Sequence, residues 1–270
     1  MPNFICVQCG VQYAESATPP QSCPICEDER QYVNWQGQQW TTLEELRATH
    51  TNQIKLEGPQ VYGIGSKPNI AIAQRALLVQ TPAGNILWDC ITLLDEATIK
   101  EVEALGGISA IAISHPHFYS TNIEWSRAFG NAPVYIHAKD RQWVMRPDPA
   151  VVLWEGDTLN IGDGLTLICG GIHFEGGTML HWAGGDHGRG VLFSGDIFQV
   201  VTDRRYVSFM YSYPNLIPEH PDIIRRAIEL VEPFPFEIVY GAFWGRIVHQ
   251  DGKAAVLRSK QRYLKAIGLE

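Results

Sequence analysis

The 270-residue chain has no uninterrupted apolar stretch near the roughly 18 residues that a membrane span requires. It is also short of basic residues. Its 21 Lys and Arg face 29 Asp and Glu, a formal charge of −8 with histidine neutral. Phosphate groups and anionic surfaces are held by an excess of cations, so neither a nucleic acid nor a membrane is an expected partner. Met1-Pro2-Asn3-Phe4-Ile5-Cys6 offers neither the basic segment nor the apolar segment of an export signal, which predicts a cytoplasmic protein. Charged residues make up 19% and apolar residues 45%, a balance that suits a buried core rather than disorder. The length leaves room for one large domain and a small appendage.

Cysteine is sparse, with six in all, yet four fall in two C-x-x-C pairs, Cys6-Val7-Gln8-Cys9 and Cys23-Pro24-Ile25-Cys26. A C-x-x-C turn directs two thiolates at one centre, and two such turns make an S4 site suited to zinc or iron. Gly10 and Pro24 occupy turn positions. The residues between the pairs, Pro19 and Pro20 among them, carry too little apolar mass for a core, so the segment needs a staple that a metal supplies. Two disulfides or four free thiols are the alternative, disfavoured in a chain without an export signal. The pairs resemble the knuckles of rubredoxin-like and zinc-ribbon domains, over residues 1–40. That resemblance implies iron and electron transfer in the first case and structural zinc in the second. One zinc ion is the expectation, because no neighbouring residue demands redox chemistry. Cys90 and Cys169 lie in apolar text and read as small buried hydrophobes.

Residues 31–35 read as a strand closing the small domain. The span 41–59 reads as a linker, opened by a short helix with Thr41 or Thr42 as its cap and Glu44 or Glu45 three residues on. From residue 60 the text mixes hairpins with β–α units. Strands are expected over 76–81 and 86–88, around a turn at 82–85, and then over 110–113, 133–136, 165–168, 178–181, 190–193 and 237–240. Helices are expected over 94–105, over the stripe Ile223, Ile224, Ala227, Ile228 and Val231, and near the C-terminus. Mixed connections of this kind predict two sheets with helices outside.

Ligand-type residues repeatedly follow apolar strands: Asp89 after Ile86-Leu87-Trp88, His115 and His117 after Ala110 to Ile113, His173 after Leu165 to Ile168, and Asp196 after Val191-Leu192-Phe193. Strand ends that meet on one sheet edge build sites, and His-x-His in extended chain presents two imidazoles to one cation. With Trp154-Glu155-Gly156-Asp157 before a strand pair, this text over residues 60–270 resembles the metallo-β-lactamase superfamily. The resemblance implies an α/β fold, the αββα sandwich, with one or two metals at the sheet edges. The family pattern His-x-His-x-Asp-His reads here His115-Pro116-His117-Phe118-Tyr119-Ser120. Its late histidine is also missing, since Ala242 follows Gly241 and the next histidine is His249.

Carried over residue by residue, the resemblance implies one metal, zinc or iron, at His115, His117, His173 and Asp196. It implies no second metal, because Tyr119, Ser120 and Ala242 replace the ligands of that site. The leading expectation is a metal-dependent hydrolase acting on a small-molecule ester, lactone, amide or phosphoester, with Asp196 and Tyr119 as the catalytic candidates. Two rivals remain. One is a mononuclear iron oxidoreductase similar to persulfide dioxygenases, using His115, His173 and Asp196. The other is a non-catalytic scaffold with a degenerate site. His137, His181 and His187 read as structural or solvated. Arg246 is a candidate anchor for an anionic substrate. The aromatic stretch 206–214 reads as core, with a pocket wall or a homodimer contact as alternatives.

Overall fold

A computed structural model describes residues 1–269. The chain divides into two compact units. One comprises Met1–Ile136 with Asp140–Leu153, and the other His137–Lys139 with the residues from Trp154 onward.

The first unit begins with the knuckles. Ile5–Cys6 pairs antiparallel with Trp40–Thr41, in the register Ile5↔Thr41 and Cys6↔Trp40. The strand expected over 31–35 does not form. Trp35 is fully exposed there, and Trp40 takes the pairing position instead. The helix Leu43–Thr49 starts as its sequence predicts: Thr42 Oγ1 accepts the Glu45 N–H, and the Glu45 carboxylate accepts the Thr42 N–H. The polar stretch that follows is a strand rather than a linker. Thr51–Gly58 pairs antiparallel with Val61–Lys67 at the edge of a seven-stranded sheet. Only one neighbour covers an edge strand, so its polar composition misled the sequence reading.

That sheet continues through Ala76–Val79 and Ile86–Trp88 and then turns parallel at Ala110–Ala112 and Val134–His137, with Val151–Trp154 outermost. Its three central strands are apolar and buried on both faces. Asp89 and His115 therefore leave the sheet from rigid, neighbouring strand ends.

The second unit holds a six-stranded sheet in the order Thr158–Gly162, Leu165–Cys169, Thr178–Trp182, Val191–Gly195, Ile238–Gly241, Ile247–Val248. The helix Pro221–Val231 buries Ile224, Ala227, Ile228 and Val231, a stripe of i, i+3, i+4 and i+7. Gly252–Ala266 is the last helix. Both pack into one apolar cluster with Ile168, Ile197, Phe198, Val207, Phe209 and Val239. The aromatic stretch thus enters the core through Val207 and Phe209. No helix among the described residues is long and apolar enough to cross a membrane.

Candidate metal centres

The four knuckle cysteines are buried, free of disulfides, and offer sulfurs within 4.8 Å of one another. Cys6 Sγ lies 3.6 Å from Cys26 Sγ, and Cys9 Sγ 3.7 Å from Cys23 Sγ. A disulfide brings sulfurs to about 2.05 Å. A tetrahedron with metal–sulfur bonds of about 2.3 Å has an edge of about 3.8 Å, and these two pairs have that spacing. Each turn is braced by its backbone, with the Gly10 N–H donating to the Cys6 carbonyl at 2.8 Å and the Cys26 N–H to the Cys23 carbonyl at 2.9 Å. Two side chains donate to sulfur: Tyr13 Oη to Cys23 Sγ at 3.0 Å and Gln38 Nε2 to Cys6 Sγ at 3.2 Å. Such donors favour thiolates. Hydrogen bonds from the neighbouring thiols push Cys6 and Cys23 down, while the same pairings push Cys9 and Cys26 up. Four buried sulfurs this close cannot all ionise unless a cation sits among them, so the donor set fits a metal.

His115 and His117 are buried in the first unit, and His173 is buried in the second. His115 is extended, but Pro116–Phe118 forms a short 3-10 turn instead of continuing as extended chain. The turn sets the His115 and His117 rings edge to face, with centroids 5.1 Å apart. Proline at the first helical position favours the turn, since its ring fixes φ and its missing N–H costs nothing there. His115 Nδ1 meets Ser114 Oγ at 2.9 Å, and His173 Nδ1 meets the Tyr211 carbonyl at 2.7 Å. A carbonyl only accepts, so His173 carries its hydrogen on Nδ1, and Nε2 is left for coordination. Neutral imidazoles, one of them with its tautomer already set, are donors of the kind that a divalent cation takes.

Asp196 follows the strand Val191–Gly195, as its sequence position predicts, and is buried. The Asp196 carbonyl accepts the Tyr213 hydroxyl at 2.5 Å. His249 is exposed. Arg246 donates to Thr202 Oγ1 at 3.2 Å. His137 and His181 have structural partners, the carbonyls of Gly156 and Pro235.

Asp89 supports the loop that carries the first two histidines. Its Oδ1 accepts the Ser114 N–H at 2.8 Å, while Oδ2 has no hydrogen-bond partner among the described residues. Burial pushes its carboxyl up to about 7, against the opposing pull of Ser114 and of the Arg75 charge. The carbonyls of residues 90–92 accept from Ser120 Oγ, Thr121 Oγ1 and Trp125 Nε1. The Thr121 hydroxyl is thereby spent on Thr92 and does not cap the helix Asn122–Ala128. Asp89, Ser120 and His173 all adopt left-handed backbone, with φ of +59°, +46° and +67°. Strain of this kind in non-glycine residues collects where geometry is held for function. Tyr119 is buried, its hydroxyl has no hydrogen-bond partner among the described residues, and desolvation raises its pKa well above the ordinary phenol value. It borders a water-sized cavity of about 10 Å³ with Val11, Gln12, Asn122 and Arg146.

Sequence reasoning missed Glu219, which is buried and accepts the His173 N–H at 2.9 Å. A lone glutamate 46 residues from its partner carries no spacing signal. The only hint is its place just ahead of the His220 cap of the helix Pro221–Val231.

The sequence profile of the metallo-beta-lactamase superfamily matches residues 71–243. A Bacillus subtilis protein described as "Uncharacterized protein YmaE" is 48% identical over 272 residues, covering 100% of this chain and 98% of that one. Among solved structures, DIM-1 metallo-beta-lactamase superposes with a TM-score of 0.60 at 15% identity, over 80% of this chain and 98% of its own. VMB-1 gives 0.59 at 15% identity, with the same coverages. At that identity the likeness speaks for the αββα fold, which this chain shares, and not for a substrate.

Proposed function

The chain belongs to the metallo-beta-lactamase superfamily, and on that premise we propose that it is a metal-dependent hydrolase of a small-molecule ester, lactone, amide or phosphoester, working with a single cation. The reading is supported by the superfamily match together with three buried histidines, His115, His117 and His173, the last with its Nδ1 already engaged by the Tyr211 carbonyl. When bound, a zinc or iron ion supplies Lewis acidity toward the scissile group. His115, His117 and His173 hold it as neutral imidazoles, and Asp196 is the one carboxylate carried over from the family pattern. Tyr119 stays protonated, because burial raises its pKa, so it acts as a hydrogen-bond donor and not as a base. The knuckle is a structural zinc site that braces the loop bearing two of these histidines.

A hydrolysis screen tests the proposal. The full-length protein, loaded with zinc or with iron, is assayed on esters, lactones, amides and phosphoesters beside His173→Ala. Turnover of one class by the wild type and its loss in the variant are expected. Equal rates in both proteins contradict it, as does oxygen consumption on a persulfide in place of hydrolysis.

A further inference from the structure

Glu219 is 4% exposed and lies between the short strand Ile217–Pro218 and the helix Pro221–Val231. Its backbone is fixed from two sides. Its N–H donates to the Phe209 carbonyl at 3.3 Å, and its own carbonyl accepts the Tyr263 hydroxyl at 2.5 Å. The carboxylate divides its two oxygens between two main-chain donors: Oε2 accepts the His173 N–H at 2.9 Å, and Oε1 accepts the His220 N–H at 2.8 Å. His173 needs such a hold. At φ +67° it lies in the left-handed region, which disfavours a residue with a bulky side chain. Its ring is fixed from the same segment, through Nδ1 and the Tyr211 carbonyl at 2.7 Å. Tyr213, between those two holders, donates to the Asp196 carbonyl. Residues 211–219 therefore fasten both candidate ligands of the second unit, His173 by backbone and ring and Asp196 by backbone.

We propose that Glu219 is a positioning residue that holds His173 in its left-handed conformation and so aims Nε2 at the cation. This rests on the reading of His173 as a ligand. The carboxylate suits the task because both of its oxygens accept. A glutamine offers one accepting oxygen and must turn an N–H2 toward the other donor. An aspartate is one methylene shorter. Partners behind metal-bound histidines commonly account for about 10–100-fold in metal affinity, and that is the effect expected here.

The test uses the full chain with zinc already in the knuckle. Zinc is titrated into wild type, Glu219→Ala, Glu219→Gln and His173→Ala, and native mass spectrometry counts the ions. Imidazole nitrogen NMR reads the His173 tautomer in the same samples before the second zinc is added. The expected result is a roughly 10–100-fold weaker second zinc in Glu219→Ala and a smaller loss in Glu219→Gln. The Nδ1–H form of His173 should give way to a tautomer mixture in the alanine variant, with the knuckle zinc retained throughout. Wild-type affinity in Glu219→Ala, alongside loss in His173→Ala, overturns the role of Glu219. Wild-type affinity in His173→Ala overturns the ligand reading beneath it. Should Glu219→Ala fail to fold, Glu219→Gln decides, and an unchanged second-zinc affinity there overturns the proposal.

Discussion

The backbone N–H of Gln12 donates to the carbonyl of Ser120 at 3.0 Å. Gln12 lies three residues beyond Cys9, and Ser120 three beyond His117. The Cys6 N–H reaches back to the Val11 carbonyl at 3.0 Å, so the turn that gathers the sulfurs is continuous with the bridge residue that touches the histidine loop. Arg146 adds a second tie, bonding both the Gln12 side chain and Glu124.

Loss of the knuckle metal should therefore loosen the histidine loop. Cys9→Ser/Cys26→Ser is expected to melt at a lower temperature than the wild type. Amide exchange over 117–122 should rise about tenfold or more, while exchange in the strand Ile238–Gly241 changes little. Hydrogen exchange with mass detection reads both segments at once. Uniform acceleration along the chain, or none over 117–122, would show that the knuckle does not brace this loop.

Close approach makes Gly10 a second check on that contact. A Cβ there would lie 2.3 Å from Thr92 Oγ1, and φ is +79°. Gly10→Ala is expected to cost about 1–3 kcal/mol by denaturant unfolding, part from the clash and part from the backbone. Adding Thr92→Ala removes the Oγ1 and should restore the steric part relative to Thr92→Ala alone. Strict additivity of the two substitutions would mean that the predicted clash is not felt.

Asp89 makes stability depend on pH. Its ordinary value is 3.8 and burial raises it to about 7. Between those values the folded state keeps a proton that the unfolded state has released, so this contribution is full below about pH 4 and is lost as pH rises toward 7 and beyond. Asp89→Asn keeps an acceptor for the Ser114 N–H, tolerates the left-handed backbone and does not titrate. In metal-free buffer, the wild type should lose about 1–3 kcal/mol more than Asp89→Asn between pH 5 and pH 8. Parallel profiles would place the Asp89 carboxyl near its ordinary value.

The sequence is most legible where structure is local. The cysteine pairs, the Thr42 capping box and the apolar strands that deliver Asp89, His115, His173 and Asp196 are each set within a few residues. Legibility fails where a partner is distant or absent. Thr51–Gly58 looked like a linker because its edge position leaves it polar, although Ile54 and Leu56 alternate with polar neighbours. Residues 31–35 have strand composition but no strand to pair with. A strand end fixes where the Asp196 backbone emerges but not where its carboxylate points. Glu219 acts on His173 only through tertiary structure.

The central claim is that His115, His117 and His173 hold one cation in addition to the knuckle's own. Metal content per chain tests it most directly, measured by elemental analysis on full-length wild type and on His115→Ala/His117→Ala purified side by side. The account predicts two ions per wild-type chain and one, retained in the knuckle, in the variant. Two ions in both proteins, one in both, or three in the wild type would contradict it.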